Sequence, residues 1–288
     1  MAELVSRHVA TVAEAMALAQ ERLDAAGVDN PWEDGVSLLG QLLGISRSAV
    51  MLERNRPLSL ERWTLYLSQL GRRARREPLQ HILGVAYFYG LELTVSPAVL
   101  IPRPETERLV ELALEALTGV PQPRVVDVGT GSGAIALAIK AERPDAAVSA
   151  SELSAEALEV ARDNARRLGL EVDFVRSDLL GAPALQEAVR GADLLLSNPP
   201  YLPETDRAWL SPEVRADPAE ALFSGEDGLA HFRSLEAQAF GLVKPGARMM
   251  LELDPRNSQK ALAEATRWTE RKLEADLLGR ARFLVLER

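Results

Sequence analysis

The chain has 288 residues, 47% hydrophobic and 26% charged, with a formal net charge of −9 and no cysteine. That length suits one main domain and a smaller one, and the missing cysteine excludes disulfides, thiolate metal sites and a cysteine nucleophile together. Residues 1–85 carry ten arginines and ten acidic residues, so the excess of acid lies wholly in residues 86–288; this argues against DNA or long RNA as substrate, because phosphates call for a basic footprint.

Glu3, Arg7 and Glu14 interrupt the N-terminal stretch where a secretion signal would need its apolar core. No window approaches the ~20 apolar residues of a membrane span, so a cytoplasmic protein is expected, with no membrane partner. His8, His81 and His231 are far apart and lack metal-ligand spacing; they read as surface or packing residues, and no metal site is expected.

Residues 1–77 read as a small all-α domain. Thr11 caps a helix running to Gly27, Pro31 opens a second, and Ser46 caps a third. Ser59 caps a fourth, along which Leu60, Trp63, Leu67 and Leu70 keep a helical period. The arginines Arg72, Arg73, Arg75 and Arg76 at its end either complement the helix dipole or form a docking surface. Residues 78–100 read as a linking β-hairpin, with two short strands between Tyr87 and Val95 turning at Gly90. The segment Ile101-Pro102-Arg103-Pro104-Glu105-Thr106-Glu107 leads into a helix from about Pro104 to Leu117.

Beyond Pro123, apolar runs at Arg124–Val128, Ala147–Ser151, Val172–Arg176, Asp193–Ser197 and Arg248–Leu253 alternate with helical patterns. This predicts an α/β domain over residues 101–288 with a mostly parallel sheet, ligands collecting at the carboxyl ends of its strands. Two last runs, Lys272–Leu277 and Arg282–Leu286, predict an antiparallel closing hairpin around Gly279.

The first strand of this domain runs into Gly129-Thr130-Gly131-Ser132-Gly133, then a helix near Ala134. Such a loop brings backbone amides close to a ligand. By itself it leaves a nicotinamide dinucleotide and S-adenosylmethionine both open, since Gly129, Gly131 and Ala134 also fit the dinucleotide pattern, with Glu152 about 20 residues on. Asp127 favours S-adenosylmethionine, whose α-ammonium it can pair and which dinucleotides lack. Glu152 suits the ribose diol, an acceptor for two hydroxyls. Asp178 can take the adenine amino group and Leu179 the ring face.

The most specific signal is Asn198-Pro199-Pro200-Tyr201 at the end of the fourth strand. The two prolines stiffen the backbone and offer no N–H. The Asn198 side-chain oxygen and the Pro199 carbonyl can therefore accept both hydrogens of a planar NH2 group, with Tyr201 against its flat face. A carboxamide nitrogen is a poor nucleophile, and fixing both N–H bonds steers its lone pair at the methyl group. Positioning of this kind supplies as much as ~7 to 11 kcal/mol of barrier reduction, and no strong base is required.

The order Pro78–Gly84, Ile101–Glu107, Val125–Gly133 and Ser197–Tyr201 resembles the release-factor glutamine methyltransferases, the HemK or PrmC family. The resemblance implies a helical N-terminal domain that recognises a peptide chain release factor. It also implies a seven-stranded Rossmann-like domain, dependent on S-adenosylmethionine, that methylates the glutamine of a Gly-Gly-Gln loop. By position, Gly129 to Gly133, Glu152, Leu179 and Asn198 would contact the methyl donor, and Asn198 to Tyr201 the glutamine, with Arg103 and Glu105 at the cleft edge. The family commonly has aspartate at the position of Glu152 and often an aromatic residue at that of Leu179.

Three other readings stand beside it. An adenine amino-methyltransferase acting on DNA or RNA would use the same motif on a flipped base, but the acidic catalytic half argues against it, and no stable nucleic-acid complex is expected. A non-catalytic partner-binding module is opposed by the intact motifs, and a nicotinamide oxidoreductase leaves Asn-Pro-Pro-Tyr unexplained.

Overall fold

The computed structural model describes residues 10–288, so His8 lies outside the described residues. The chain divides into two compact units, one reaching to Gly84 with Pro212–Ala216 added, the other comprising Val85–Ser211 and Asp217–Arg288.

The first unit contains α1 (Val12–Ala25), α2 (Pro31–Leu43), α3 (Arg47–Leu52), α4 (Leu60–Ala74) and α5 (Leu79–Leu83). Its starts obey the expected capping chemistry. Thr11 forms a capping box with Glu14, Ser46 accepts from the Ala49 N–H, and Ser59 from the Arg62 N–H, each satisfying an amide that has no partner inside the helix. Met16, Leu23, Leu38, Leu39, Tyr66 and Leu70 meet in the core, where the Tyr66 hydroxyl donates to the Ala15 carbonyl at 3.1 Å.

The second unit opens with the antiparallel pair β1 (Val85–Phe88) and β2 (Leu91–Thr94). Pro104–Thr106 forms a 3-10 turn, and α6 covers Glu107–Ala116. The helix expected from Pro104 thus begins three residues later, because the Thr106 N–H bonds the Arg103 carbonyl in the tighter i to i+3 pattern common at helix starts.

A seven-stranded sheet follows, built from β3 (Arg124–Val128), β4 (Ala147–Glu152), β5 (Asp173–Arg176), β6 (Leu194–Ser197), β7 (Arg248–Glu252), β8 (Glu270–Ala275) and β9 (Ala281–Glu287). Its order is β5-β4-β3-β6-β7-β9-β8. The first five strands are parallel, while β9 runs antiparallel to both β7 and β8. Strands β3 and β6 carry apolar side chains on both faces, since helices cover the sheet on either side. These are α7 (Ala134–Glu142), α8 (Ala155–Leu168), α9 (Pro183–Gly191), α10 (Ala230–Leu242) and α11 (Pro255–Glu264), together with α6.

The fold expected from the strand–helix alternation is the one observed, with several strand ends shifted by one or two residues; before it, residues 79–83, expected within the linking hairpin, form α5, so the hairpin begins only at Val85. Strand β8 ends at Ala275 rather than Leu277 because Asp276 accepts the N–H groups of Leu278 and Arg280 and closes the turn at Gly279. The chain builds β3, β4 and β5 outward in one direction, then returns to lay β6 on the other side of β3. That reversal is the topological switch point, where open α/β sheets bind their ligands. Among the described residues no helix is long and apolar enough to cross a membrane.

The arginine cluster of the helical unit is largely engaged within that unit. Arg72 chelates Glu77, buried Arg73 bonds Asp34 at 2.6 Å and Glu213 at 2.9 Å, and Arg76 binds both oxygens of Glu213. Burial raises the Asp34 carboxyl above its ordinary range, and Arg73 opposes the shift. These contacts weaken the docking-surface reading for Arg72, Arg73 and Arg76. Removing Arg73 would strand a buried carboxylate, and breaking a buried pair from one side costs about 3 to 5 kcal/mol. Arg73→Ala is accordingly expected to lower the unfolding free energy by about that amount in urea titration.

Candidate active site

The sheet's register brings the two main sequence signals together. In the parallel pairing of β3 with β6, Val128 lies beside Ser197, so the glycine loop and Asn-Pro-Pro-Tyr leave the same end of adjacent strands. The buried Ser197 hydroxyl donates to the Val128 carbonyl at 2.7 Å and clamps the two exits. Sequence reading had placed Ser197 only as the last residue of a strand.

The glycine loop is held on three sides. The N–H groups of Gly129 and Thr130 both bond the Ser151 carbonyl at 2.9 Å. Buried Asn164 on α8 takes the Ser132 carbonyl at 2.9 Å and also bridges to the Thr94 backbone. Glu152 accepts the Gly131 N–H at 3.0 Å through one oxygen and the N–H groups of Leu153 and Ser154 through the other. Glu152 therefore organises the loop, a role that its position alone does not reveal. Gly131 has φ +55°, and a Cβ there would meet nothing within 4 Å, so this face of the loop is open to a ligand.

Asp127 is fully buried. Its Oδ2 accepts the Thr130 hydroxyl at 2.6 Å, while Oδ1 has no partner. Burial pushes the carboxyl up to about 7, opposed by the hydrogen bond from Thr130 and by the nearby Ala136 N–H. Asp178 is exposed, and Leu179 after it adopts φ +45°. That left-handed conformation is strained for a side chain of this kind, and such strain clusters at ligand sites. Leu179 packs half-buried on the adjoining core. Leu153, beside Glu152, leaves more than half of its surface exposed, an apolar side chain that sequence reading overlooked.

At the other loop, Asn198 donates from Nδ2 to the Thr106 hydroxyl at 3.1 Å, and its buried Oδ1 has no partner. Thr106 in turn donates to Glu252 Oε2 at 2.7 Å. Glu252, 1% exposed at the end of β7, also receives the Tyr201 hydroxyl at 3.4 Å and lies 3.6 Å from Arg282. Burial raises the carboxyl of Glu252, countered by Thr106 and Arg282, and burial likewise raises the Tyr201 phenol. Neither Thr106 nor Glu252 was singled out from the sequence. Thr106 directly follows Glu105, which was, as was Arg103. Arg103 is tied to Asp217, whose other oxygen accepts the Ile101 N–H; Glu105 is exposed, 3.9 Å from Arg280.

The backbone after Tyr201 is fixed by a second missed segment. Leu202 exchanges hydrogen bonds with the Leu222–Ser224 strip, donating to the Leu222 carbonyl and accepting the Ser224 N–H, both at 2.9 Å. Gly228, at φ +75°, passes so near Tyr201 that a Cβ would lie 2.2 Å from its carbonyl oxygen. The turn-rich run Gly225-Glu226-Asp227-Gly228 before a helical pattern was the available signal. His231 is half-buried against Ser224, which its Nδ1 meets at 2.9 Å, and His81 is buried. Among the described residues no group of acids and histidines could hold a metal ion.

The open glycine face, the partnerless buried carboxylate oxygen and the exposed acid after β5 fit the amino-acid and nucleoside ends of S-adenosylmethionine. Residues 106–222 match the methyltransferase small domain and residues 14–84 the PrmC N-terminal domain. With the doubly wound sheet, these define a methyltransferase that depends on S-adenosylmethionine. A release factor glutamine methyltransferase of Deinococcus radiodurans is 46% identical over 268 residues, covering 92% of this chain and 94% of the relative. One of Streptomyces coelicolor is 42% identical over 275 residues, covering 93% and 95%. The chain belongs to the release factor glutamine methyltransferase family.

Solved structures agree on the fold alone. The hMettl16 catalytic domain in complex with a MAT2A 3′UTR hairpin superposes with a TM-score of 0.56 at 16% identity, covering 81% of this chain and 84% of that one. A human methyltransferase 10 domain containing protein gives 0.52 at 17%, covering 69% and 89%.

Because Gly228 is both left-handed and in contact with Tyr201, Gly228→Ala is expected to displace Tyr201 and cut methyl transfer by at least tenfold, by analogy with small misplacements of reacting groups. Calorimetric donor affinity should change much less, as the glycine loop lies on a different strand.

Proposed function

We propose that this protein transfers a methyl group from S-adenosylmethionine to the side-chain amide nitrogen of the glutamine in the Gly-Gly-Gln motif of peptide chain release factors. One observation carries the reading. Asn198 Oδ1 is buried and has no hydrogen-bond partner, while the same amide is tethered through Nδ2 to Thr106. An unsatisfied buried acceptor is costly, and a substrate NH2 group satisfies it.

S-adenosylmethionine supplies an electrophilic methyl group on its sulfonium sulfur. Asp127 is assigned to the α-ammonium, Gly129 to Gly133 to the amino-acid portion, Glu152 to the ribose diol, and Asp178, Leu153 and Leu179 to adenine. Asn198 Oδ1 and the Pro199 carbonyl take the two amide hydrogens of the glutamine, Pro200 keeps the backbone rigid, and Tyr201 covers the amide plane. The nitrogen attacks the methyl carbon with its lone pair as the carbon–sulfur bond breaks and sulfur keeps the electron pair as a neutral thioether, and one hydrogen then leaves to solvent as a proton, so no general base is needed in the motif. Arg103 and Glu105 border the glutamine entrance. Recognition of the release factor is assigned to the helical unit, in keeping with its match to the PrmC N-terminal domain.

The reading is tested by incubating the enzyme with labelled donor and a purified release factor, with duplex DNA and total RNA in parallel, and locating the mark by mass spectrometry. One methyl on the Gly-Gly-Gln glutamine is expected, and label confined to nucleic acid would overturn it. Asn198→Ala should lower turnover by roughly 10² to 10³, in line with removal of one polar contact that positions a transition state, with donor affinity nearly intact. An α-ammonium beside Asp127 favours its ionised form, so below about pH 7 donor binding must expel a proton. Donor affinity is therefore expected to rise by up to about tenfold per pH unit as pH increases toward 7, and Asp127→Asn should flatten that slope in calorimetric titrations.

A further inference from the structure

Asparagine presents an acceptor on one side of its amide and a donor on the other, in almost the same shape. A flip of Asn198 would turn its NH2 group toward the glutamine and oppose donor to donor. Contact distances alone do not prevent this, because a hydroxyl such as that of Thr106 can either accept or donate. The direction of the chain is set one residue further back.

Glu252 is almost completely enclosed, and its named neighbours all offer hydrogens to it: the Thr106 hydroxyl at 2.7 Å, the Tyr201 hydroxyl at 3.4 Å and the Arg282 guanidinium at 3.6 Å. Burial raises the Glu252 carboxyl, but the permanently charged Arg282 and the Thr106 hydroxyl both favour its ionised form, and an ionised carboxylate only accepts. The single Thr106 hydrogen is therefore committed to Glu252, and its oxygen is left to accept. Nδ2 of Asn198 donates to that oxygen at 3.1 Å, which leaves Oδ1 for the substrate.

We infer that Glu252, acting through the Thr106 hydroxyl, is a positioning residue that fixes the Asn198 amide with its oxygen facing the glutamine. The inference rests on the assignment of Asn198 as substrate acceptor, and it explains why a buried acid sits beneath a motif that needs no base. A glutamine at this position keeps the size of Glu252 but can donate to Thr106, which frees the hydroxyl to reverse and Asn198 to flip.

The test compares Glu252→Gln, Thr106→Val and Thr106→Ser in the full-length protein with a release factor as methyl acceptor. For Glu252→Gln and Thr106→Val, kcat should fall by about 10- to 100-fold, the usual effect of removing a group that orients a directly acting one, while donor affinity stays within about threefold. Thr106→Ser keeps the hydroxyl and should restore kcat to within about threefold of the parent. The double variant should be no worse than the poorer single one, because both act through one bond. The Asn198 side-chain amide protons, followed by NMR without any donor, should be protected from exchange in the parent and in Thr106→Ser and lose protection in the other two.

Unchanged kcat and unchanged protection in Glu252→Gln would overturn the inference. If that variant does not fold, the contrast of valine with serine at position 106 decides alone, and equal kcat for the two would overturn it. If Asn198→Ala is inactive while Glu252→Gln is unaffected, the function stands and the positioning role falls. If the parent labels no release factor, the function falls, and amide protection still decides the orientation.

Discussion

The parallel pairing of β3 with β6 is the constraint on which the rest of the site depends. It makes Val128 and Ser197 neighbours, and their shared hydrogen bond at 2.7 Å sets a common origin for two loops nearly 70 residues apart in sequence. A slip of one residue in this register would turn every side chain of β6 to the opposite face. Both strands are buried on both faces, so helices α7 and α9 and their neighbours hold the register by packing. The chemistry then resides in loops, which are free to carry strain that the sheet would not tolerate.

Around this origin the polar groups form two separate systems. On the β3 side, Asp127 accepts the Thr130 hydroxyl while Glu152 and Asn164 bond the backbone of the glycine loop, so the loop is shaped before a ligand arrives. On the β6 side, Thr106, Glu252, Tyr201 and Arg282 converge beneath Asn198. Burying a carboxylate is unfavourable unless donors surround it, and Glu252 is surrounded by them. Both systems use carboxylates as organisers of neutral groups, which suits a reaction whose nucleophile is a neutral amide.

The helical unit uses the same physics for a different end. Its Asp34 and Glu213 absorb Arg73 and Arg76, and Glu77 absorbs Arg72, so a run that reads as a basic patch is mostly internal structure. Recognition of a protein substrate by this unit would have to use other side chains, and among the described residues Trp32, Met51, Leu52, Leu60 and Leu65 are its large apolar ones left exposed.

Much of this was legible in the amino-acid order because the signals are local. Helix caps at Thr11, Ser46 and Ser59, the period of the strands, the glycine loop and the Pro-Pro stop after Asn198 each depend on residues within a few positions of one another, and backbone sterics and hydrogen bonding act at that range. The partners that complete the site are not local. Thr106 precedes Asn198 by 92 residues and Glu252 precedes Arg282 by 30, so no spacing rule announces them. Gly228 looks like any turn glycine until Tyr201 is placed against it, and the arginine run looks free until Glu213 is brought to it. The sequence by itself determined the class of fold, the donor loop and the acceptor motif. Only the tertiary structure decided which buried acid faces which hydroxyl, because that choice depends on where β7 and the turn before α6 meet the end of β6.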